Sequence, residues 1–248
     1  MSSQPDSPDG QQHWLQAQGA ATIIPFGDAA VQVIFGAAID PAIHARAVAC
    51  AEAVRARHWP GLLDVVPTYR AVTVHVDPRR LTVEAAIERV RTCVPSVAPV
   101  QTGTRHRLPV LYGGEWGPDL AEVAAFANRS VDDTIRLHAA TVYRVYMLGF
   151  TPGFPYLGLV PDALAMPRLA GPRPRVPAGS VGIAGRQTGI YPVETPGGWR
   201  LIGRTPVALI RRRHPQPFLF TPGDEVEFVP IGREEFARLR QERDADAD

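Results

Sequence analysis

Apolar and polar residues follow two different periods along this chain, and the change of period divides it into two regions. Residues 21–26 and 30–35 read as short strands joined by Gly27 and Asp28, a hairpin turn signal. Ile39, Ile43, Ala47, Cys50 and Val54 then recur every three or four positions, the stripe of an amphipathic helix, and Pro60 with Gly61 ends it. Val72, Val74 and Val76 alternate with Thr73, His75 and Asp77, which predicts a half-buried strand. A second helix follows over 82–93, with Val83, Ile87 and Val90 on one face.

Beyond residue 104 the pattern changes. Residues 108–112 predict a strand. Asp119 with Glu122, and Ser130 with Asp133, have the spacing of two helix starts. Residues 142–148 read as a buried strand, after which proline and glycine dominate to Gly203; short strands between such turns fit a barrel or sandwich better than a helical layer. Residues 226–229 predict the last strand and 234–240 a short polar helix. The expected organisation is a flexible tail over 1–19, a small α+β domain over 20–100, a second domain of short strands, barrel or sandwich, over 101–240 and a polar tail over 241–248.

Composition narrows the function classes. The 248 residues are 45% apolar, enough for a real core, and no apolar run is long enough to span a bilayer. The opening residues lack a basic start followed by an apolar run, so the cytoplasm is the expected compartment. All 26 basic residues are arginine. No lysine is therefore present for a Schiff base, a phosphate loop or biotin attachment, while arginine remains for bidentate carboxylate binding. Cys50 and Cys93, in predicted helices and without a paired motif, read as buried thiols, and no metal site is expected. The run Arg211 to His214 is too short for a nucleic-acid stripe and is followed by Asp224, Glu225 and Glu227.

Candidate chemistry collects in the proline- and glycine-rich stretches. Residues 148–158 (LGFTPGFPYLG) are too rich in both to form a central strand and predict an ordered loop. Its Phe154 and Tyr156, with Tyr191 and Trp199, are candidates for a pocket wall or partner surface. Gly179 and Ser180 offer backbone donors to an anion. Gln187 can donate to and accept from an amide. Arg204, between Gly203 and Thr205, is a candidate carboxylate clamp. His138, at a helix end where an imidazole could face a cavity, is the best candidate for acid–base work.

Taken together, YGGEWGPDL (112–120), His138, GFTPGFPYLG (149–158), PAGSV (177–181), QTGIYP (187–192), PGGW (196–199) and IGRTP (202–206) resemble the motif set of one family. It is the family of the 5-oxoprolinase B subunit, also described as allophanate hydrolase subunit 1 or kinase-A inhibitor. Pro222-Gly-Asp224 and Phe26-Gly-Asp28 extend the resemblance over nearly the whole chain. The resemblance implies a small α+β domain followed by a cyclophilin-like β-barrel. It also implies a partner C subunit, with an A subunit in the active complex, and ATP-dependent opening of the lactam 5-oxo-L-proline to L-glutamate. ATP, with Mg, would then be bound largely by partner subunits, and this chain would be inactive alone. On that reading His138 serves proton transfer, Gln187 and Arg204 hold the substrate amide and carboxylate, and Gly179 with Ser180 face the developing oxyanion. A subunit of a urea- or allophanate-pathway enzyme, or an inhibitor of a sensor histidine kinase, are the alternatives the same resemblance carries.

Overall fold

In the computed structural model, residues 21–100, 103–211 and 213–247 are described; the expected tail at 1–19, and Arg212 of the basic run, lie outside them. Backbone proximities divide the chain into two compact units meeting at Gln101 and Thr102.

The first unit is a four-stranded antiparallel sheet carrying two helices. Strands β1 (Thr22–Pro25), β2 (Ala30–Ile34), β3 (Leu62–Pro67) and β4 (Ala71–Val76) take the order β1-β2-β4-β3. β3 was hidden because its LLDVVP sequence shows no clean alternation, and a register shift between Leu62 and Asp64 explains why. Helix α1 (Pro41–Arg55) starts at Asp40, whose carboxylate accepts from the N–H groups of Ala42 and Ile43. Helix α2 (Val83–Arg91) starts at Thr82, whose hydroxyl accepts from Ala85 N–H. Val31, Val33, Ala47, Val54, Val74 and Val90 lie in one core between helices and sheet. Cys50 and Cys93 are buried and unpaired there, Cys93 just past the end of α2 rather than inside it. Burial first, and Cys93 second, push the Cys50 thiol up to about 12.

The second unit is built on strands β5 (Arg105–Tyr112), β6 (Val142–Leu148), β7 (Pro155–Gly158), β8 (Arg173–Val176), β9 (Ser180–Ala184), β10 (Gln187–Ile190), β11 (Thr195–Gly197), β12 (Arg200–Arg204) and β13 (Glu225–Pro230). Seven of them close a barrel in the order β10-β7-β6-β13-β5-β12-β9. The other two, β8 and β11, pair as a separate ribbon. All barrel pairings are antiparallel except β13 with β5.

Residues 155–158 were expected in a loop; instead β7 pairs on both sides, with β6 and with β10. Pro155 starts the strand, where a missing donor costs little, and Gly158 ends it. The glycines inside the neighbouring strands mark close approach. A Cβ on Gly189 would stand 2.9 Å from Phe154, from the Pro155 carbonyl and from Trp199.

Helices α3 (Leu120–Phe126) and α4 (Val131–Ala139) pack on the barrel. Ser130 caps α4 by accepting from Asp133 N–H, as its spacing predicts. Asp119 does not cap α3: its carboxylate accepts from Arg173 Nη2 at 2.7 Å and from Leu201 N–H at 2.6 Å. The terminal helix α5 (Arg233–Ala247) runs through most of the expected polar tail.

Candidate functional site

His138 lies on the same face of α4 as Thr134, four residues earlier, and both are buried. That face turns the imidazole into the barrel interior, where it has no solvent exposure. Its Nδ1 is 2.9 Å from the Tyr112 hydroxyl and its Nε2 is 3.1 Å from Thr188 Oγ1. The ring stacks on Phe228 at 4.7 Å, and Tyr143 donates its hydroxyl proton to the His138 carbonyl. Burial alone pushes the imidazole down to about 3. The expected cavity-facing acid–base group is instead a neutral histidine inside the core, with both ring nitrogens engaged.

The oxyanion expectation meets a similar correction. Gly179 N–H donates to the Tyr191 carbonyl at 2.7 Å, and Ser180 N–H to the Pro177 carbonyl at 3.2 Å. Both donors are spent on closing the turn before β9. The left-handed φ of +82° at Gly179 and the nearby Thr205 carbonyl explain why glycine stands there.

The aromatic residues come together, but as a packed cluster. Along β7, β9 and β12 successive side chains point to opposite faces. Leu157, Ile183 and Ile202 fill the barrel, while Tyr156, Ala184 and Leu201 join Phe154, Val176, Tyr191 and Trp199 in a second core. Phe154 meets Tyr191 at 5.1 Å and Trp199 at 5.3 Å, edge to face. Phe154, Tyr191 and Trp199 are each at most 5% exposed, so they are not an open pocket wall; Tyr156 alone is half-buried.

Gln187 and Arg204 are held apart. Gln187 pairs with Ala184 at one end of β9, and Arg204 with Ser180 at the other. Four strand rises separate those ends along β9, about 13 Å. Arg204 Nε donates to the Ala178 carbonyl at 2.7 Å, and its guanidinium lies 5.3 Å from the Trp116 ring centre. Burial lowers its pKa first, then repulsion from Arg240 and Arg243.

Two surface concavities were not foreseen. One, of about 320 Å³, is lined by Leu111, Glu115, Trp116, Arg233, Phe236 and Arg240, among others. Its sequence signal was Arg233, Phe236 and Arg240 at helical spacing. The other, of about 360 Å³, lies at Leu148 to Gly153 and Phe218. Phe150 there adopts a φ of +65° and is 61% exposed, and Thr151 Oγ1 is buried without a partner. Among the described residues no three His, Cys, Asp or Glu stand close enough to hold a metal ion, and no helix is long and apolar enough to cross a membrane.

Residues 21–220 match the model of the carboxyltransferase domain, subdomain C and D. The 5-oxoprolinase B subunit of Bacillus subtilis (strain 168) is 40% identical over 228 residues, covering 87% of this chain and 95% of that protein. The crystal structure of TTHA0988 superposes with a TM-score of 0.74 at 41% identity over 83% of this chain; the chain spans 40% of that longer one. The urea amidolyase of K. lactis shares the fold alone, with a TM-score of 0.76 at 20% identity, over 93% of this chain and 16% of that one.

Proposed function

The chain belongs to the carboxyltransferase C and D family, among the 5-oxoprolinase B subunits, and from that premise we propose that it serves in an ATP-dependent 5-oxoprolinase that opens 5-oxo-L-proline to L-glutamate. The observation that carries the reading is identity of 40% sustained across 95% of a protein of that name. An identity confined to one motif would support only a shared fold.

The geometry supports a shared site rather than a complete one. His138 is enclosed, with both ring nitrogens in hydrogen bonds, and Gln187 and Arg204 lie toward opposite ends of β9. No lysine and no glycine-rich phosphate loop are present, so the phosphate-loop mode of ATP binding is not open to this chain. Nucleotide, Mg and most of the reacting groups therefore fall to the partner A and C subunits. This chain supplies a rigid barrel and contact surfaces. Exposed Phe150 and Phe218, beside the 360 Å³ concavity, are the apolar surface best placed for the C subunit. The complex would work in the cytoplasm.

The test is 5-oxoproline-dependent ATP hydrolysis by this chain alone and mixed with its A and C subunits. Glutamate formed only by the complete mixture supports the assignment. A folded, assembled mixture that leaves 5-oxoproline untouched overturns it. A second reading, a urea-type amide substrate, rests on a short match only, 39% identity to the urea amidolyase of Lachancea kluyveri over 69 residues, 26% of this chain and 4% of that protein, and urea in the same assay tests it.

A further inference from the structure

The barrel carries a cluster of arginines that the proposed reaction does not use as a set. On α5, Arg233 and Arg240 are seven residues apart, two turns on one face, with Phe236 between them. Phe236 is buried with its ring 4.9 Å from that of Trp116, which fixes this face of α5 against the turn after β5. Arg204 lies over the same indole, at 5.3 Å. Arg240 and Arg243 are close enough to Arg204 to act on its charge.

On the concavity's lining Arg233 and Arg240 are matched in number by Glu115 and Asp244; the excess of positive charge comes from Arg204 and Arg243 beside it, with Glu194 also acting on Arg204. Glu115 and Asp244 are the carboxylates lining the concavity, and Asp244 is already held by Arg243, with Arg240 at the 4.0 Å limit. Arg204 and Arg233 make no ion pair among the described residues. Like charges gathered around a concave surface raise the local anion concentration, and an oxyanion between them relieves their repulsion. The guanidinium fork matches carboxylate and phosphate geometry. A volume of about 320 Å³ admits a small organic anion.

We propose that this concavity is a binding site for a small oxyanion of charge two or more, a phosphate or a dicarboxylate, held by Arg204, Arg233 and Arg240 against Trp116 and Phe236. The family match ends at residue 220, so the site is built half from the family's barrel and half from a helix outside that match. Such a site does not depend on which reaction the assembled enzyme performs.

The test uses the full chain. Inorganic phosphate and succinate are titrated separately at constant ionic strength, with sodium chloride as control, following tryptophan fluorescence and, in parallel, calorimetric heat. The expected result is a saturable signal with at least one anion below about 10 mM and none with chloride. The same titration of Arg233→Gln and Arg240→Gln, both exposed and compatible with folding, is expected to be about tenfold weaker. Trp116→Phe is expected to lose the fluorescence change and keep the heat. Saturation by phosphate alone or by succinate alone supports the site and identifies its source. No saturation by either anion, equal binding by the arginine variants, or an identical response to chloride overturns it.

Discussion

The Nε2 of His138 stands 3.1 Å from Thr188 Oγ1, and that hydroxyl donates its own proton to the Gly182 carbonyl. Thr188 must then accept from His138, which fixes the proton on Nε2 and leaves Nδ1 to accept from Tyr112. One neutral tautomer satisfies three strands and a helix at once. The arrangement is a structural lock for the barrel interior.

The pH dependence follows from the sign of the shift. The imidazole falls from an ordinary 6.5 to about 3 in the folded chain, so below pH 6.5 the unfolded state binds a proton that the folded state refuses. Stability is complete above that pH and declines by about 1.4 kcal/mol per unit from 6.5 down toward 3. Urea unfolding at pH 7, 6 and 5 is expected to show this loss. His138→Phe is expected to cost about 2 kcal/mol at pH 7, from the unpaired Tyr112 and Thr188 hydroxyls, and to flatten the decline. An unchanged slope in the variant would refute the assignment.

The separation of Gln187 and Arg204 predicts independence. If no single substrate bridges them, the effects of Gln187→Ala and Arg204→Ala on kcat/KM of the assembled complex add within about 0.5 kcal/mol. A coupling above about 1 kcal/mol in that double-mutant cycle would restore the joint substrate clamp expected from sequence.

The first unit, β3 apart, was legible because valine alternation and helical periodicity are local signals, and in the second unit Ser130 caps α4 as its spacing with Asp133 predicts. The barrel strands around Gly182 and Gly189 were not. Their glycines make room for Trp199 and Phe154, residues ten or more positions away, and no local period records that demand. The candidate site residues came out dispersed for a related reason. Motif proximity along the chain placed Ser180, Gln187 and Arg204 together, whereas strand direction sends Gln187 and Arg204 to opposite ends of β9. The α5 arginines were visible only as a polar helix, because their meaning depends on Trp116, 117 positions upstream of Arg233, and on Arg204, 29 upstream.

Two glycines with similar backbone separate conformational cost from crowding. Gly27 and Gly179 have φ of +71° and +82°, but a Cβ on Gly27 meets open space while one on Gly179 strikes the Thr205 carbonyl. Gly27→Ala is expected to cost about 1 kcal/mol, for the left-handed backbone alone. Gly179→Ala adds a steric clash and is expected to cost about 3 kcal/mol. Equal losses in thermal unfolding would show that the turn before β9 relaxes freely.

Asp119 ties the start of α3 to the barrel by two routes, the 2.7 Å bond from Arg173 and the 2.6 Å bond from Leu201 N–H, and its own N–H donates to the Leu201 carbonyl. Removing the carboxylate leaves a buried backbone donor without a partner, whereas removing Arg173 leaves a carboxylate that still accepts from Leu201. Asp119→Ala is therefore expected to cost about 3 kcal/mol and Arg173→Met about 1 to 2 kcal/mol. Because Asp119 is 8% exposed and Arg173 28%, added salt should screen the pair little. Chemical denaturation of both single variants and the double variant, at low and high sodium chloride with urea as denaturant, checks the order. Arg173→Met costing more than Asp119→Ala would mean that a buried carboxylate left without its cation, and not the loss of the tie to Leu201, dominates the energetics at this joint.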